Sequence, residues 1–121
     1  MSFEWSTNDV SKMILTIYET NLTLNKAACA YFENVNYVLL GIDTKARQIG
    51  IKPVSKEEVD EHIYYESQLH RFSHGKSYGR IANKSFVKDL SAAFGLEFGE
   101  KQCYKYTVTF DVVHSIMIAQ L

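Results

Sequence analysis

The stretch SYGRIANKSFVKDL, residues 77–90, decides how the chain is read. Tyr78 to Ala82 alternates like a short strand, and Asn83 is a residue type that caps helices. Lys84 to Phe94 then sets Phe86, Leu90 and Phe94 four apart with Val87 and Ala93, and Gly95 suits the left-handed end of a helix. The same phrase stands earlier, in NLTLNKAACAYF, residues 21–32. There Leu22 to Leu24 alternates, Asn25 is the cap, and Lys26 to Phe32 forms a short helix that Asn34 and Asn36 break.

Upstream of the first copy, Met13 to Tyr18 (MILTIY) predicts a strand, joined to Leu22–Leu24 through Glu19-Thr20-Asn21 as a hairpin or a bend. Downstream, Tyr37–Asp43, a TKAR turn and Gln48–Lys52 predict a hairpin that Pro53 closes. After the second copy comes the loop LEFGEKQ, followed by a matching hairpin. Its first strand, Tyr104–Asp111, sets Tyr104, Tyr106, Val108 and Phe110 against Lys105, Thr107 and Thr109. A VVHS turn returns the chain as Ile116–Leu121. Strand, helix and hairpin are thus written twice, each hairpin turning after an aspartate, Asp43 or Asp111. One such unit has too little core and too many open strand edges to stand alone. The expected fold is therefore α+β, one domain over 1–121, with a first unit at 13–54, a charged linker at 55–76 and a second unit at 77–121, packed as an internal pseudo-dimer.

At YGRIANKSFVKDL and ILTIYETNLTLNKAACAYF the phrasing resembles the AbrB/MraZ superfamily of swapped-hairpin transcription factors. The resemblance covers most of 13–52 and 77–121. It implies two interlocked units forming a swapped-hairpin barrel, with arginines and lysines near the strand starts meeting DNA. Gly79-Arg80-Ile81 fits its strand start, and Lys84 takes the basic position after the cap. In the first copy Thr20-Asn21-Leu22 stands at that place, only Lys26 supplies charge, and neither copy has the proline that usually precedes the helix. A family of uncharacterised small bacterial proteins built on the same duplicated pattern is a second resemblance, and it implies no activity.

Composition sets the bounds. The 121 residues are 46% hydrophobic and 22% charged with a net charge of −1, enough for a core without staples and too neutral for a strong general polyanion binder. No apolar run approaches the roughly 20 residues of a membrane span, and MSFEWSTNDV lacks a basic and then apolar leader. A cytoplasmic location is expected, with Cys29 and Cys103 reduced and the glycosylation-like Asn21-Leu22-Thr23 and Asn83-Lys84-Ser85 without meaning.

Charge is distributed unevenly. Residues 55–69 carry five carboxylates against Lys56, whereas 70–88 carry Arg71, Lys76, Arg80, Lys84 and Lys88 with no carboxylate. Either the two segments solvate each other, with Arg80 in a salt bridge to the acidic linker, or those five cations form a face for the phosphates of double-stranded DNA. The acidic linker is expected to be helical in part, from the spacing of Val59, Ile63 and Tyr64.

The aromatics divide in the same way. Tyr104, Tyr106 and Phe110 read as a core face, while Tyr64, Tyr65, Phe72 and Tyr78 are candidates for a partner surface, a homo-oligomer contact included. Trp5 is either a tethered arm or a contact with a neighbouring chain.

His70 and His74, with His62 nearby, have a spacing zinc would accept on a helix, but Ser73 and Gly75 argue for a loop, and no metal or other cofactor is expected. No nucleophile elbow, P-loop or dinucleotide fingerprint is present, so neither catalysis nor a small-molecule substrate is expected. The two function classes that stay open are a small DNA-binding regulatory protein and a non-catalytic protein-interaction module.

Overall fold

A computed structural model describes residues 12–121; Trp5 lies outside them. β1 (Ile14–Tyr18) and β2 (Leu22–Asn25) pair as a hairpin, with the Tyr18 amide donating to the Asn21 carbonyl at 2.8 Å. They are followed by α1 (Lys26–Cys29), a 3-10 turn (Ala30–Phe32), and the hairpin β3 (Tyr37–Asp43) and β4 (Gln48–Val54). Next come α2 (Lys56–Asp60), a second 3-10 turn (Glu66–Gln68), β5 (His70–Arg71), β6 (Ser73–His74), β7 (Tyr78–Ile81), α3 (Lys84–Phe94), β8 (Cys103–Asp111) and β9 (Ile116–Gln120).

All the pairings are antiparallel, in the order β5-β3-β4-β9-β8-β1-β2-β7-β6. The two ends of that order, β5 and β6, belong to one stretch of chain and are parted only by Phe72. Through it the sheet nearly closes into a barrel, with the Phe72 amide donating to the Asn36 carbonyl at 2.8 Å. Leu15, Ile17, Leu22, Leu24, Ile49, Ile51, Val108 and Met117 point inward from the strands, and Phe32, Phe86, Val87 and Leu90 join them from the turns and helices.

Two asparagines fix where the helices start. Asn25 Oδ1 accepts the amides of Ala28 (3.2 Å) and Ile14 (3.0 Å), while its Nδ2 donates to the Lys12 carbonyl (2.7 Å), tying α1 to the start of β1. Asn83 Oδ1 accepts the Phe86 amide at 3.0 Å and its Nδ2 meets His70 Nδ1 at 2.8 Å, tying α3 to the start of β5. Gly95 ends α3 at φ 68°, as its lack of Cβ allows. The hairpin turns also match: Asp43 Oδ1 accepts the Ala46 amide at 3.0 Å, Asp111 Oδ1 accepts the His114 amide at 3.2 Å, and Arg47 and Ser115 end the turns at positive φ.

Three expectations need correcting. The stretch read as a linker, 55–76, supplies β5 and β6. Its helix stops at Asp60, because His62 turns left-handed at φ 55°, so Val59, Ile63 and Tyr64 do not share a helix face. Pro53 does not close the second hairpin but lies within β4 opposite Val38; β9 reaches only as far as Ile51, leaving no ladder bond on that side for proline to miss. No helix among the described residues is long and apolar enough to cross a membrane.

Candidate nucleic-acid interface

β7 exposes Tyr78 and Arg80 and buries Gly79 and Ile81. Register extends this outward face in both directions. Arg80 stands opposite Thr23 on one side and Ser73 on the other, Thr23 stands opposite Thr16, and Thr16 opposite Lys105. Lys105, Thr16, Thr23, Arg80 and Ser73 thus form one row across five strands, in which Lys105, Arg80 and Ser73 are exposed, Thr23 is half-buried and Thr16 is buried at 8% exposure. Three inter-strand steps of about 4.8 Å separate the two cations' backbones by roughly 14 Å. Beside Arg80 the surface dips into a concavity of about 340 Å³ lined by Tyr18, Asn21, Thr23, Tyr78 and Arg80.

Gly79 is needed where it stands. A Cβ there would collide with Phe72 Cζ and lie 2.9 Å from Cys29 Sγ. The glycine next to Arg80 therefore seats the ring that closes the barrel, and burial pushes the Cys29 thiol pKa up.

The five cations foreseen in the sequence are all exposed but not all gathered. Arg71 lies two residues before Ser73, with the inward Phe72 between them, so it shares the outward side with Ser73, the direct neighbour of Arg80. Lys76 sits in the tight turn whose Gly75 amide donates to the Tyr78 carbonyl at 2.8 Å. Lys84 and Lys88 stand one turn apart on α3, and no described pairing or concavity joins them to the row. Lys105, absent from the foreseen set, belongs to the row because β8 pairs with β1; only its alternation with Tyr104 and Tyr106 hinted that it faced outward.

Among the described residues the sole side-chain contact of salt-bridge geometry is the 2.8 Å hydrogen bond between His114 Nδ1 and Asp111 Oδ2, so the expected salt bridge from Arg80 to the acidic segment is not made. Glu58 instead accepts the Ser55 amide at 3.0 Å and the Tyr64 hydroxyl at 3.3 Å. The Ser55 amide, ahead of Tyr64 and Lys52, holds the Glu58 carboxyl below the usual carboxylate range.

Of the four aromatics assigned to a partner surface, Tyr65 (79% exposed) and Tyr78 (49%) are open and Tyr64 is half-buried. Phe72 is a correction: it is 1% exposed and stacks on Phe32 with ring centroids 5.0 Å apart. Tyr104, Tyr106 and Phe110 are half-buried against the core. His74 Nε2 donates to the Val35 carbonyl at 2.6 Å and His70 faces Asn83, so the two histidines are held apart on β5 and β6. No group of three or more His, Cys, Asp or Glu among the described residues is arranged to hold a metal. Cys29 and Cys103 are both free and half-buried.

Comparison of the chain with family models, with curated proteins and with solved structures gave no match.

Proposed function

We propose that the chain is an internal pseudo-dimer of AbrB/MraZ-like swapped-hairpin units and acts in the cytoplasm as a small DNA-binding regulatory protein. The strand exchange supports the fused-pair part of this reading. The first strand of each half leaves its own hairpin for the other's: β1 pairs with β8, and β5 pairs with β3. The strands at corresponding places, β2 with β7 and β4 with β9, pair with each other, as a twofold axis between antiparallel neighbours requires. The two capping asparagines and the two aspartate turns fit the same scheme.

The observation that carries the DNA reading is the outward row centred on Arg80, a guanidinium with no carboxylate partner among the described residues and with threonine and serine hydroxyls on both sides. Guanidinium and hydroxyl donors are the groups that fix a protein on phosphates, while Arg71, Lys76 and Lys105 widen the cationic face. Lys84 and Lys88 would add phosphate contacts from α3. The test is fluorescence anisotropy of labelled duplex DNA at roughly 50 and 200 mM salt. Binding that weakens steeply with salt is expected, and Arg80→Ala together with Lys105→Ala should flatten the log–log salt slope by about 2.

Absence of binding at low salt up to about 100 micromolar protein, the weak end for nonspecific binders, would overturn the DNA reading. The protein-interaction module, as homo-oligomer or with another protein, would then stand in its place. Ile63 (57% exposed) and Tyr65 beside it favour that second reading.

A further inference from the structure

We infer that the outer face of β3, β4 and β9 is a binding groove for a small organic carboxylate with a slender apolar body. Gly41 and Gly50 stand directly opposite each other in adjacent strands, and Gly50 also stands opposite Ile118. Glycine weakens a strand interior, and nothing among the described residues calls for it at either position. Neither residue has a positive φ. A Cβ on Gly41 would meet nothing within 4 Å, and one on Gly50 would meet only Ile116 Cγ2 at 3.4 Å, an ordinary contact. Two facing glycines without a reason among the described residues leave bare backbone that a ligand can approach closely.

The surface around them is concave. Depressions of about 470 and 270 Å³ share Gly41, Gly50 and Ile116, making one trough along the strand direction from Leu39 to Asp43. Four residues at about 3.4 Å each give it a length of roughly 13 Å. Leu39, Ile116 and Ile118, all half-buried, supply apolar walls, and the space is of the size that small-molecule sites take.

Donors gather at one end, where Lys52, Gln68 and His70 line the trough and no carboxylate does. Asn83 fixes the tautomer of His70. Its Oδ1 is taken by the Phe86 amide, so the group facing His70 Nδ1 is the donating Nδ2, and the imidazole proton must sit on Nε2. Burial lowers the His70 pKa, which favours the neutral ring this bond requires. The Lys52 ammonium gives one hydrogen to the His114 carbonyl at 2.7 Å and has two to spare. At the far end the Asp43 carboxylate is turned into its own hairpin, accepting the Ala46 amide at 3.0 Å. Cation and donors at one end with apolar walls beyond them describe the complement of a carboxylate head and a hydrocarbon tail.

The groove lies on other strands than the Arg80 row and does not depend on DNA binding. Its test is a titration of octanoate followed through the amide NMR signals of Gly41 and Gly50, with octan-1-ol as the control lacking the head group. Saturable shifts with a dissociation constant below about 1 mM are expected, with the alcohol at least tenfold weaker. Gly41→Val fills the trough with a residue strands favour and should weaken octanoate binding at least tenfold. Lys52→Met, which keeps the stem and removes the charge, should weaken octanoate about tenfold and leave the alcohol unchanged, which keeps the test decisive should Gly41→Val not fold. No saturable shift up to about 10 mM, binding undiminished in Gly41→Val, or octanoate and octanol binding alike would overturn the assignment.

Discussion

β1 and the stretch His70–His74 each stand between a short strand and a hairpin, but they hold their places by different means. β1 runs unbroken, with three pairs to β2, five to β8, and Leu15 and Ile17 both inward. The other stretch divides its ladder, two pairs to β3 through β5 and two to β7 through β6, and sends in one residue, Phe72. A long ladder spreads its stability over many bonds; a short one depends on a single wedge and on the hollow that receives it. Gly79 is that hollow.

The contrast breaks most easily at Phe72. Phe72→Ala should cost about 3–5 kcal/mol in urea denaturation, more than Ile17→Ala at about 2–4 kcal/mol. Native-state hydrogen exchange should then speed up at Arg71, Ser73 and Gly79 while the β1 amides stay protected. If the order of the two costs is reversed, the wedge account fails. Next is Gly79→Ala, whose Cβ collides with Phe72 and Cys29, at about 1–3 kcal/mol. Combined with Phe72→Leu its added cost should shrink, a non-additivity of about 0.5 kcal/mol or more.

The two asparagine caps sharpen the comparison. Asn25→Ala loses a cap and two ties to β1, for about 2 kcal/mol, whereas Asn83→Ala loses a cap and one tie to His70, for about 1 kcal/mol. His70 adds a dependence on pH. Because its folded pKa is lowered by burial, the unfolded chain takes up the proton first. Stability is full above about pH 6.5, declines as pH falls below that value, and should decline less steeply in His70→Gln when melts are compared between about pH 5 and 7. The smallest effect is expected at Ser115, at φ 53° where a hairpin turn ends. Ser115→Gly should raise stability by a few tenths to about 1 kcal/mol.

Where the pattern is local and repeated, the sequence was readable. Both asparagine caps, the Gly95 end of α3 and the two hairpins follow from side-chain type and alternation, and each sits as expected. Phe72 was not readable, because one inward aromatic among polar neighbours makes no period, and its burial is decided by Phe32 and Gly79 from elsewhere in the chain. The candidate interface divides the same way. Arg80 is visible as a cation in an alternating strand, but the company of Thr16 and Lys105 depends on β1 lying against β8, a pairing that no stretch of sequence announces.

That pairing also sets a schedule for the chain's birth. Ile14 is among the first described residues to leave the ribosome, yet its partner Thr107 is made about ninety residues later. Until then β1 can lie only against β2, with one edge open to strands of other molecules. Contacts so distant in sequence make for slow folding, and the nascent chain holds this open edge while the residues between the two strands are made. A chain terminated before Cys103 would keep that edge for good, so its fate is aggregation or capture by chaperones rather than a smaller working barrel.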